Sequence, residues 1–180
     1  WSISRLEGDL AARPEDGEIR IELARCVASR ALMHGGGEAA CNEALALSRK
    51  VLQDDPTSVD ALVICGLSLL GMERTEAAFK YLAQALSIEE DRADLRFALG
   101  MLERQQGELG GAVRHLETAC RLAPEAWETH LYLGRALMEL ARSRDLAGRL
   151  VERAQYHLVR ALQLEPTPDQ NPGVLKDIGV

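Results

Sequence analysis

Apolar positions along this chain recur at the three- and four-residue spacing of a helix face, and hardly anywhere at the two-residue spacing of a strand. Ala78, Leu82 and Ala85 set the pattern, and Ala112, Leu116, Ala119 and Ala154, Leu158, Ala161 repeat it. Charged and polar residues fill the opposite face, which predicts amphipathic helices joined by short turns. Pro14, Pro56, Pro124 and Pro166 mark where helices stop, because proline lacks the N–H that the next turn needs. The reading is nine helices: one alone over about residues 2–12, then four helical pairs.

The pairs are copies of one another. Gly66, Gly100 and Gly134 lie 34 residues apart, preceded by Cys65, Leu99 and Leu133. Pro14, Pro56 and Pro124 each stand ten residues before a small residue (Ala24, Gly66, Gly134), and Glu90 takes the proline place before Gly100. A further ladder runs through Ala44, Ala78, Ala112 and Ala154. Glycine and alanine at matching heights let two helices approach closely, and the repeated leucines Leu82, Leu116 and Leu158 supply the inner face of the second helix. No single hairpin can bury such a face, so neighbours must stack.

These spacings resemble the tetratricopeptide repeat, whose pattern is W-x2-L-G-x2-Y, A-x3-F and P on a 34-residue period. The best copy is Leu99-Gly100, Gly107, Ala112-x3-Leu116, Ala119 and Pro124. The chain departs from the pattern at the early aromatic, replaced by Arg20, Leu62, Arg96 and His130, and at the tyrosine, replaced by Val27, Leu69, Glu103 and Leu137. The resemblance implies an all-α, right-handed α-α superhelix. It covers 1–166 as a single array: a half repeat over 1–14, repeats over about 15–56, 57–90, 91–124 and 125–166, and an extended tail or the start of a next unit over 167–180. The first and fourth repeats are longer. Twenty residues lead from Ala24 to Ala44 and from Gly134 to Ala154, against 12 from Gly66 to Ala78 and from Gly100 to Ala112. Eight additional residues amount to about one turn on each helix of a hairpin. The first insertion carries Gly35-Gly36-Gly37, the fourth Arg142, Arg144 and Arg149.

Composition narrows the function. A formal charge of −7 argues against whole-surface attraction to nucleic acid or anionic lipid, and no apolar run is long enough to span a membrane. Residue 1 is Trp, so the chain reads as a piece of something longer. Cys26, Cys41, Cys65 and Cys120 fall inside apolar helical runs with no Cys-x-x-Cys pair, the mark of reduced core thiols and of a cytoplasmic location. Catalytic chemistry finds no support. The glycine run lacks the Lys-Ser/Thr of a phosphate loop, and no nucleophile has an evident base. His34, His115, His130 and His157 share no ligand spacing with one another or with the cysteines, although His115 and His130 could meet across a repeat boundary. Neither metal nor cofactor is expected.

In the family the concave surface is lined by the first helix of each pair. The offsets the resemblance turns inward hold Ile21, Val63, Phe97 and Leu131; Arg25, Leu67, Met101 and Arg135; and Leu70, Arg104 and Met138. Since another set of leucines already fills each repeat, this second stripe is surplus apolar surface, and such surface marks a contact. The expectation is a non-enzymatic adaptor whose apolar groove, edged by arginines, receives an amphipathic helix or a folded partner, small GTPases among them. The alternative is a scaffold that self-assembles through its terminal helices, using Leu6 at one end and Val159 at the other. Part of the stripe could equally be buried between adjacent helices.

Overall fold

The computed structural model describes residues 3–34, 37–143 and 148–164. Among them are nine helices and no strand: α1 (Ile3–Ala12), α2 (Gly17–His34), α3 (Gly37–Asp54), α4 (Val59–Gly71), α5 (Thr75–Ile88), α6 (Ala93–Gln105), α7 (Leu109–Leu122), α8 (Trp127–Ser143) and α9 (Arg149–Leu164). The sequence expectations for Trp1, Gly35, Gly36, Arg144 and the 167–180 tail lie outside the described residues. Packing divides the chain into two compact units, residues 1–90 and 91–180. The division falls at Glu90, the repeat end at which the proline ladder is interrupted.

Unit 1 consists of α1 laid against the hairpin α2/α3, followed by the hairpin α4/α5. Its core holds Leu62, Leu69, Leu70, Leu82 and Val27, all essentially without exposure. Leu6 of α1 is itself 4% exposed and packs with Leu23, Val27 and Ala44, so α1 closes this core as a lid. Unit 2 is the hairpin α6/α7 followed by α8/α9, around Leu95, Leu116, Leu131, Leu133, Leu137 and Leu158.

Three of the four hairpins close on a glycine, and α2/α3 has Ala24 at that place. A Cβ on Gly66 would lie 2.5 Å from Leu82 Cδ2. On Gly100 it would lie 2.7 Å from Leu116 Cγ and 3.2 Å from the Ala112 carbonyl oxygen; on Gly134, 2.7 Å from Leu158 Cγ and 3.2 Å from the Ala154 carbonyl. The alanines of the second helix are fully buried at the same heights. The turn after the first helix uses the left-handed region: Gly107 sits at φ 83°, and Glu73, seven residues after Gly66 as Gly107 is after Gly100, sits at φ 58°. The longer repeats place their additional residues in helix: α2 and α3 have 18 residues each and α8 and α9 have 17 and 16, against 13 and 14 for both α4/α5 and α6/α7.

Charge pairing repeats with the period too. Arg25 meets Asp60 at 2.9 Å, Arg74 meets Glu38 at 3.3 Å, Arg104 meets Glu139 at 2.7 Å, Arg160 meets Glu125 at 3.3 Å, and Arg153 pairs with Glu117. The early-aromatic position is used differently from repeat to repeat. Arg20 is 2% exposed, donates to the Pro14 carbonyl and lies 3.8 Å from Asp54. His130, at the same distance from its own proline, engages the Pro124 carbonyl at 3.1 Å.

Candidate functional site

The inner stripe expected from the sequence divides into two classes. In unit 1, Val63 and Leu70 are buried, Ile21 and Leu67 half-buried, and Arg25 exposed. In unit 2, Phe97, Met101 and Leu131 are buried, while Arg104, Arg135 and Met138 are half-buried. The expected open apolar groove is corrected at the five buried positions. The first helices of consecutive hairpins pack on each other, α2 against α4 and α6 against α8, and the side chains between them become core.

What reaches the surface along this stripe in unit 2 is two arginines and a methionine, the arginines laid on a buried aromatic ring. The Tyr132 ring is flanked by two guanidinium groups, Arg104 with its Cζ 5.5 Å from the ring centroid and Arg135 at 5.8 Å. Phe97 meets the same ring edge-on, centroids 5.3 Å apart and planes at 89°. Tyr132 is 6% exposed. Burial pushes its phenol above the usual range, and Arg135 and Arg104 oppose that shift. Arg104 is held by Glu139, while its buried Nε has no hydrogen-bond partner. Met138 stands one turn beyond Arg135 on α8.

The corresponding surface of unit 1 is mixed in sign. Arg25 bridges Asp60 at 2.9 Å and Glu22 at 3.7 Å, beside a shallow depression lined by Asp16, Gly17, Glu18, Ile21, Val51, Ser58 and Asp60. Glu18, Asp60, Asp94 and Glu128 all lie in first turns, where the N-terminal end of the helix dipole favours an acid.

A third feature escaped the sequence reading. His130 does not meet His115; it faces His157 on α9, Nδ1 to Nδ1 at 2.9 Å, with ring centroids 5.1 Å apart. His115 lies instead 3.6 Å from Glu103. Cys120 of α7 completes the group, and its sulfur and one ring nitrogen from each imidazole fall within 4.8 Å of one another. Burial, then the neighbouring His130 and Arg153, lower the His157 pKa to about 4. Burial, then the charge of Glu117, raises the Cys120 thiol to about 12. The ladder does hold a signal for the histidine pair. His130 stands four residues before Gly134 and His157 three after Ala154, the offsets at which Arg96 and His115 stand in the preceding repeat.

No family model matches the chain, and no curated protein does. Solved structures do. TTC0263, a thermophilic TPR protein in Thermus thermophilus, is 19% identical over 99% of this chain and 89% of its own, with a TM-score of 0.72. A human IFIT1 dimer with m7Gppp-AAAA is 17% identical over 98% of this chain and 40% of its own, at 0.76. MamA is 22% identical over 93% of this chain and 89% of its own, at 0.54. The fold is that of a tetratricopeptide-repeat solenoid, as its spacing implied.

Proposed function

We propose that this tetratricopeptide-repeat fold serves as a non-enzymatic adaptor that holds another protein through the arginine–tyrosine face of unit 2. The observation that carries this is the clasp of Arg104 and Arg135 about Tyr132. Two half-buried cations ordered on an aromatic ring have lost much of their side-chain freedom already, so a carboxylate that binds them orders little more. Met138 beside them offers a soft apolar contact. The ligand that fits is an acidic segment with an apolar anchor, its carboxylates replacing Glu139 at Arg104. In unit 1, Ile21, Arg25 and Leu67 offer a smaller contact of the same kind. IFIT1, in its dimer with m7Gppp-AAAA, supports the use of such arrays as binding platforms; here a net charge of −7 favours protein over nucleic acid.

The test is an affinity capture from the source cell's lysate with wild type, Arg135→Glu and Arg104→Glu, each checked for helical content by circular dichroism. A partner held by wild type and weakened at least about tenfold by Arg135→Glu supports the reading, since reversing a contact charge turns attraction into repulsion. Equal capture by all three folded proteins overturns it. Tyr156 and Val159, 66% and 43% exposed on α9, favour self-assembly as a second reading. Leu6, being buried, drops out of it. Sedimentation that shifts with concentration for wild type and not for Val159→Glu would support that reading, and a concentration-independent monomer would end it.

A further inference from the structure

We propose that Cys120, His130 and His157 form a site for a zinc-type divalent cation that ties α7, α8 and α9 of unit 2 together. Three observations converge on it. The donor atoms come from three different helices and already lie within 4.8 Å of one another, while tetrahedral zinc with bonds of about 2.0 Å to nitrogen and about 2.3 Å to sulfur sets its donors roughly 3.3–3.8 Å apart. The orientation is right for His130: its Nε2 is 3.1 Å from the Pro124 carbonyl. A carbonyl oxygen only accepts, so Nε2 carries the proton and Nδ1 turns a lone pair toward His157. An outer hydrogen bond to a backbone carbonyl is how metal-binding imidazoles are held in one tautomer. The donor set, two imidazoles and a thiolate, suits zinc and its neighbours and does not suit magnesium or calcium. Half-exposed His157 leaves the fourth position to water.

Loading balances as follows. In the empty protein the Nδ1–H of His157 donates to Nδ1 of His130. On binding, that proton relocates to Nε2 of His157, the Cys120 thiol releases its proton to solvent, and the cation bonds to Nδ1 of each ring and to Sγ. The net result is one proton released per cation.

Cobalt(II) is the probe, because a thiolate–cobalt charge-transfer band and ligand-field absorption report sulfur coordination directly. The full chain is titrated with cobalt, then with zinc in competition, alongside Cys120→Ala and His157→Gln. Both variants keep the buried His130 in place, and circular dichroism confirms their fold. The expected result is one cobalt per chain with the charge-transfer band, displacement by zinc with release of one proton, no band in Cys120→Ala, and affinity at least about tenfold lower in His157→Gln. Zinc should also raise the melting temperature of wild type and leave Cys120→Ala unmoved. No charge-transfer band in wild type, or binding that neither variant weakens, overturns the site.

Discussion

At single positions the repeat acts as its own control, because the same place in the fold is filled by different residues. Glu73 holds a left-handed backbone at φ 58° where the next repeat uses Gly107 at φ 83°. A non-glycine residue carries steric strain there. Glu73→Gly is expected to raise the unfolding free energy by about 0.5–1 kcal/mol in denaturant titration, and Gly107→Ala to lose about as much. Arg20 and Leu62 occupy equivalent places. Arg20 is buried with its Nη1 lacking a hydrogen-bond partner, and buried ionic groups are often replaced by apolar ones at little cost. Arg20→Leu should therefore stay within about 1 kcal/mol of wild type, while Arg20→Ala, which empties the volume, loses about 2–4 kcal/mol. The thiols give a pH test. Burial pushes Cys65 up to about 12, so at pH 8 it is almost wholly protonated and unreactive. Its alkylation in the folded protein should run at least about a hundredfold slower than in denaturant and climb with pH well past the ordinary thiol range. Equal rates in the two states would show the site to be open.

At the level of helices, close approach at glycine is the principal device. Gly100→Ala and Gly134→Ala place a Cβ 3.2 Å from a backbone carbonyl as well as against a leucine, and a carbonyl cannot swing aside as a side chain does. Each is expected to cost about 1–3 kcal/mol. The ion pairs between repeats weigh far less. Arg153 and Glu117 remain 48% and 41% exposed, and pairs in that setting contribute about 0.2–1 kcal/mol, so Arg153→Ala should barely move the melting temperature. This contrast explains what could be read in advance. The helix count and hairpin pairing were legible because glycine, alanine and proline are demanded by backbone geometry inside one repeat. The site was legible only in its arginines. Whether Val63, Phe97 or Leu131 faces solvent depends on how closely two consecutive first helices pack, and no single repeat's pattern contains that distance. The ladder offsets single out His130 and His157 but not Cys120, and no spacing within one helix describes the point on which the three helices converge.

For the molecule as a whole, the periodicity sets where charge and length depart from the average. The net charge is −7, yet the unit 2 face clusters arginines around an aromatic ring. An acidic ligand is repelled at long range by the overall field, which salt screens strongly, and held at short range by half-buried arginines, which salt screens less, so its association should speed up as ionic strength rises. No described helix is long and apolar enough to cross a membrane.

The paired lengthening of α2 with α3 and of α8 with α9 has a consequence for how such a chain can change. A hairpin whose two legs grow together keeps its small residue, Ala24 or Gly134, in register with the alanine of its second helix, Ala44 or Ala154, so its length can change in steps of about seven or eight residues, one turn per leg. A deletion of four residues from one leg alone would move the tip out of step with the other leg. Insertions and deletions in these hairpins should therefore be accepted in a coarse ladder of sizes, each added turn bringing its own small buried set, Ala31 and Ala40 in one hairpin and Leu140 and Ala141 in the other.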